Sequence, residues 1–229
     1  MRKLFICCLL CLFASTAYAA LKPNDVKRLD QAAAVVGELR DAPDGGIPQD
    51  LWRKAECVVV IPSVKKAAFA IGGEAGSGVM SCRHANAWGA PVFMHLAKGS
   101  FGLQFGAEEI DLVLLVMNRT GADKLLQNKV SLGTDASLAA GPVGRSANAA
   151  TDAQMNAEML SYSRSRGIFA GIDLSGGALR PDTDANARAY GAGVSAHDIV
   201  EGSGRVAAPA AARSFQRALA RDAGARTQK

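Results

Sequence analysis

From Cys57 onward the chain sets short apolar runs between Gly, Pro and Asn: "CVVVIP", "KAAFAIGG", "GVMSCR", "PVFMHL", "SFGLQF" and "DLVLLVMN". Runs of this length, rich in β-branched and aromatic residues and closed by turn formers, predict strands. Their close spacing leaves no room for the crossover helices that parallel pairing requires, so antiparallel meanders are expected. "CVVVI" and "LVLLVM" show no polar alternation and predict central strands covered on both faces. In "SFGLQFG", Phe101, Leu103 and Phe105 share one face while Gly102, Gln104 and Gly106 share the other. A glycine-lined face suits strong curvature or the close approach of another backbone.

Elsewhere the period is helical. "PNDVKRLDQAAAVVGELR" opens with the helix-start residues Asn24 and Asp25, and Val26, Leu29, Ala33, Val36 and Leu39 form one apolar stripe. Lys27 and Arg28 lie outside that stripe. "IPQDLWRKAE" predicts a second short helix with Pro48 in its first turn. Further short helices are expected in "TGADKLLQN", "DTDANARAYG" and "SAHDIVEG", with a polar loop at "SANAATDAQ". "EMLSYSRS" and "IFAGIDL" predict a hairpin turning near Gly167. "APAAARSFQRALARD" follows a break at Gly202–Gly204 and predicts a longer helix set apart from the rest. The expected fold is α+β: a curved antiparallel sheet, open or closed into a partial barrel, with short flanking helices.

The first residues, "MRKLFICCLLCLFASTAYAALKPN", place Arg2 and Lys3 before an apolar stretch that ends in Ala17-Tyr18-Ala19. This is the form of a secretory leader cleaved after Ala19, too short to span a membrane. Acylation of Cys7, Cys8 or Cys11 is the weaker alternative, because Leu10 precedes Cys11 and an earlier site would leave a very short apolar region. Export to a periplasm or beyond is expected, with the product peripheral to a membrane. Cleavage leaves 210 of the 229 residues, enough for one domain with a sizeable core. The expected layout is a leader over 1–19, a helix and linker over 20–46, the main domain over 47–204 and a basic helix over 205–229. Beyond the leader remain Cys57 and Cys82, for which a disulfide and two buried thiols both stay open.

Charge is unevenly spread. Residues 204–229 hold six basic residues and one acidic one, whereas residues 20–203 sum to −2. A generic nucleic-acid binder is therefore not expected. The glycine runs give no cofactor site: "GAGVSA" follows a helical pattern, "GGEAGSG" enters a strand, and "GPVGRS" lacks the first glycine and the lysine of a phosphate loop. Ser77 and Ser175 lack the nucleophile-elbow pattern, and His84, His95 and His197 lack metal-ligand spacing. Neither an enzyme nor a metal or cofactor site is expected.

Five blocks, "AGSGVM", "GSFGLQFGAEEIDLVLLVMN", "LGTDASLAAGPVGR", "SYSRSRGIFAGIDLSGG" and "DANARAYG", occur in the order typical of the SYLF domain family, which this chain resembles from about Ile47 to Glu201. The resemblance is to the domain of yeast actin-patch proteins and their animal and plant relatives, with many exported bacterial members. It implies non-catalytic binding of lipids, phosphoinositides above all, through basic residues and an N-terminal amphipathic helix. Fungal members also bind actin. The leader, the lack of an attached signalling module and the basic C-terminal helix depart from the eukaryotic pattern; because most bacteria lack phosphoinositides, anionic phospholipid is the expected ligand class. The expected contacts are Lys27, Arg28, Lys65, Lys66, Tyr162, Arg164, Arg166, Arg213, Arg217 and Arg221. Tyr162, Arg164 and Arg166 alternate onto one strand face, where two guanidiniums would clamp a phosphate or simply face water. Arg213, Arg217 and Arg221 recur every four residues as one helical stripe. Actin or another protein is the alternative partner.

Overall fold

A computed structural model describes residues 21–41, 46–69, 71–84, 87–101, 106–143, 156–165, 168–202 and 206–221. The leader, residues 102–105 of "SFGLQFG", Gly167 and the whole "SANAATDAQ" loop lie outside them. Ten strands are β1 (Cys57–Phe69), β2 (Ile71–His84), β3 (Ala87–Trp88), β4 (Val92–Phe101), β5 (Gly106–Val116), β6 (Val130–Ser131), β7 (Leu138–Ala140), β8 (Met159–Ser165), β9 (Ile168–Gly171) and β10 (Gly177–Pro181). They form a strongly curled half-barrel in the order β6-β10-β4-β2-β1-β5-β8-β7, with β3 added to β2 and β9 to β8. Every pairing is antiparallel except β7 with β8. The helices are α1 (Pro23–Asp41), α2 (Gln49–Lys54), α3 (Arg119–Leu125), α4 (Thr183–Tyr190), α5 (Ala196–Glu201) and α6 (Arg213–Arg221).

"CVVVIP" and "KAAFAIGG", expected as separate strands, run together as β1 and the start of β2. The physical reason is a bulge. β1 slips by one residue against β5 between Ile61 and Val64, and against β2 between Val60 and Lys65. Pro62 has no N–H to give the ladder, and Ser63 takes a positive φ of 52° while donating its N–H to Asp111 Oδ1 at 2.9 Å. An extra residue bends a strand and raises its twist without ending it. β2 accommodates the bend with glycine: a Cβ on Gly78 would overlap the Val60 carbonyl.

Alternation along β1 and β5 feeds two cores, as their uninterrupted apolar runs predict. Cys57, Val59, Ile61, Leu112, Leu114 and Val116 face one, closed by α3, α5 and the segments around Leu132 and Leu174. Val58, Val60, Val113 and Leu115 face the other, closed by α1, α2, α4 and α6. Cys57 and Cys82 are cross-strand partners and form a disulfide.

α1 turns Leu29, Ala32, Val35, Val36 and Leu39 onto this second core, while Ala33 is only half-buried. The C-terminal helix is not a separate unit. Phe215 and Leu219 of α6 are fully buried against the same core, packed with α1. Phe215→Ala should therefore destabilise the fold by about 3–5 kcal/mol and lower the melting midpoint by roughly 10 °C, whereas exposed Arg217→Gln should stay within about 0.5 kcal/mol. Paired thermal melts check this; equal midpoints for Phe215→Ala and the parent would mean that α6 is not docked.

Candidate functional site

Three ion pairs spread along α1 fasten it to the sheet and to α4. Asp25, only 1% exposed, accepts the Lys22 N–H at 3.0 Å and a two-pronged bond from Arg188 of α4, at 2.8 and 3.1 Å. One turn on, Arg28 reaches Asp182 at 2.7 Å. Near its C-terminal end, Glu38 pairs with Arg164 of β8, which also bonds Asp111 at 3.1 Å. Asp111 thus holds both the Ser63 bulge and Arg164.

Asp182 is the most connected of these groups. Its Oδ1 caps α4 by accepting the Ala185 N–H at 3.0 Å, and its Oδ2 meets His95 Nε2 at 2.9 Å as well as Arg28. His95 Nδ1 in turn lies 2.9 Å from Ser77 Oγ. Sequence spacing hid this serine–histidine–aspartate series, because its members come from β2, β4 and the cap of α4. Ser77 and His95 are direct cross-strand partners, as are His95 and Arg180, so strand register alone gathers them. The order of contacts is structural: the carboxylate is shared between Arg28, the histidine and a helix cap, which fixes all three elements together. Burial lowers the His95 pKa, Asp182 pulls it the other way, and the positive charges of Arg28 and Arg180 lower it further. Burial works against an ionised Asp182, but Arg28, the Ala185 N–H and His95 together hold it below the usual carboxylate range.

The expected contact residues are thus divided. Tyr162 is not at the surface: it is fully buried on the α1 side of the sheet, its burial pushes the phenol pKa up, and Gly141 leaves the space its ring occupies. Tyr162 is therefore not a surface contact, and Arg164, one of the two guanidiniums expected to clamp a phosphate, is committed to Asp111 and Glu38. Arg28 is likewise committed to Asp182. Lys27 and Lys65 are exposed on α1 and β1, in different parts of the fold. The Lys66 side chain and Arg166 lie outside the described residues. Arg213, Arg217 and Arg221 all project from the exposed side of α6, opposite Phe215 and Leu219. Of the ten, these three keep the arrangement the spacing predicts. Among the described residues no group of three or more side chains could hold a metal ion, and no helix is long and apolar enough to cross a membrane.

The described residues thus form a curled sheet with covered cores, charges paired across its elements and an exposed arginine stripe on α6. A family model described as "Ysc84: Las17-binding protein actin regulator" matches residues 97–222, more than half of the chain and inclusive of α6. The chain belongs to this family, the SYLF domain family of the sequence blocks. LAS seventeen-binding protein 3 of Saccharomyces cerevisiae is 32% identical over 203 residues, covering 87% of this chain and 40% of that protein. SH3 domain-containing YSC84-like protein 1 of Bos taurus is 30% identical over 205 residues, covering 86% and 59%. Its Homo sapiens counterpart is 30% identical over 188 residues, covering 79% and 55%. The chain thus spans about two-fifths to three-fifths of these relatives.

The polar series predicts a pH response. His95 is held below 6.5 in the fold, so its contribution is complete above that value and is lost as pH falls through the folded pKa. Asp25 and Asp182 are held below 3.8, so theirs persists until more acidic pH. The melting midpoint should fall between about pH 7.5 and about pH 5, and His95→Gln, which keeps hydrogen-bonding capacity, should flatten that fall. Melts of both proteins across this range decide it; an unchanged slope in the variant removes His95 as the cause.

Proposed function

We propose that the chain is a non-catalytic protein-interaction module of the actin-regulatory kind. The observation that carries this reading is the family match through residue 222, which takes in the exposed stripe of Arg213, Arg217 and Arg221. Because Phe215 and Leu219 are spent on the core, α6 offers a partner charge on a fixed backbone, without a free apolar face. Co-sedimentation with filamentous actin tests this. The parent should pellet with filaments, and Arg213→Gln, Arg217→Gln and Arg221→Gln together should lower the bound fraction without changing the melting midpoint. A parent that stays in the supernatant at low salt overturns it.

The same stripe supports a second reading, attachment to anionic phospholipid or phosphoinositide headgroups. With no large apolar side chain free on α6, such binding rests on charge and weakens with salt. Each arginine near an anionic surface contributes about 1 kcal/mol, so the triple variant should bind anionic vesicles roughly a hundredfold more weakly. Equal binding of the parent to neutral and anionic vesicles excludes this mode.

Export is proposed as well, with the mature chain starting at Ala20. The Cys57–Cys82 disulfide supports an oxidising compartment. Intact mass of the exported protein should match residues 20–229 with both thiols blocked until reduction; a retained leader or acylated cysteine contradicts it.

A further inference from the structure

Beside the His95 series, a recess of about 520 Å³ opens between β4 and β10. Its floor is bare because of residue size. Ala97 and Ala178 are cross-strand partners, with Gly99 and Gly176 beside them, and a Cβ on either glycine would meet nothing within 4 Å. Its walls are polar and mainly cationic: Lys98, Lys129 and Arg180 line it beside His95, against the single carboxylate of Glu74. Lys98 Nζ donates to the Asp173 carbonyl at 3.2 Å. Arg180 and Lys129 make no salt bridge among the described residues, and both are exposed. Unlike Arg28 and Arg164, these cations are not spent on the fold.

A floor of alanine and glycine lets another backbone approach closely, and a guanidinium with flanking ammonium groups suits carboxylates. The cations surround a concavity, so a protruding chain can reach all of them, whereas a flat bilayer cannot. We infer that this recess binds an acidic, extended peptide segment of a protein partner, its carboxylates facing Arg180 and Lys129. The inference rests on the interaction-module reading and adds to it the chemistry of one partner segment.

Fluorescence anisotropy of a labelled alternating Glu-Gly octapeptide, titrated with the disulfide-bonded protein at low salt, tests the site. Saturable binding is expected, weakened roughly tenfold or more by Arg180→Gln with Lys129→Gln. Ala97→Leu, which fills the floor without altering charge, should weaken it too, while the α6 triple variant should bind as the parent does. All variants are compared at unchanged melting midpoint. Absence of saturable binding, full binding by Arg180→Gln with Lys129→Gln, or loss in the α6 variant overturns the site. So does a result in which that double variant loses phosphatidylserine vesicles but keeps the peptide. Filamentous actin run in parallel separates the two readings: actin bound without peptide removes the recess alone, and peptide bound without actin removes only the actin reading.

Discussion

One extra residue in β1 sets the shape on which the other elements depend. A sheet of this width must either twist open or curl, and the bulge at Pro62–Ser63 makes it curl while both neighbours stay paired. The positive φ at Ser63 is stabilised by the carboxylate of Asp111, and the space for the bent strand comes from Gly78 opposite. Curling brings β8 and α1 within reach of one another. Asp111, holding the bulge, also holds Arg164, and Arg164 holds Glu38 of α1. A single carboxylate therefore couples the strand irregularity to the seating of the first helix.

That seating makes the amphipathic first helix part of the packed core. Its apolar stripe closes one of the two cores, and its charges are matched at Asp25, Arg28 and Glu38 by α4, the α4 cap and β8. Freeing the helix would expose five apolar side chains and leave several charges unpaired at once, a cost that a surface contact would have to offset. α6 adds to the closure through Phe215 and Leu219. The helices and the sheet are accordingly one packed scaffold.

Much of the fold was legible because it rests on periodicities within single elements. The strand runs, the uninterrupted "CVVVI" and "LVLLVM", the hairpin of β8 with β9 and the short helices all follow from local pattern. What local pattern could not supply was pairing across the chain. Arg164 and Tyr162 alternate onto one strand face, as the sequence says, but the chain 50 residues upstream and α1 decide that this face is covered. The quoted family blocks carry the same lesson. In "DANARAYG", Asn186 bonds the Phe93 backbone, Arg188 bonds Asp25 and Tyr190 bonds the Pro91 carbonyl. In "SYSRS", Ser161 bonds the Ala139 and Ile172 carbonyls. These blocks identify the family because they hold its fold together, so the resemblance they carry is stronger for architecture than for ligand.

The remaining cations sort by what stands opposite them. Arg28, Arg164 and Arg188 each face a carboxylate delivered by a distant segment, and their removal would strand a buried or half-buried charge. Arg213, Arg217 and Arg221 share a helix whose other side is buried, so the same packing that fixes α6 forces all three outward. Arg180 and Lys129 stand around a floor kept empty by alanine and glycine. Neither group improves the stability of the isolated chain: like charges on one stripe, or around one recess, repel. The charges that build the scaffold are thus distinct from those left facing solvent.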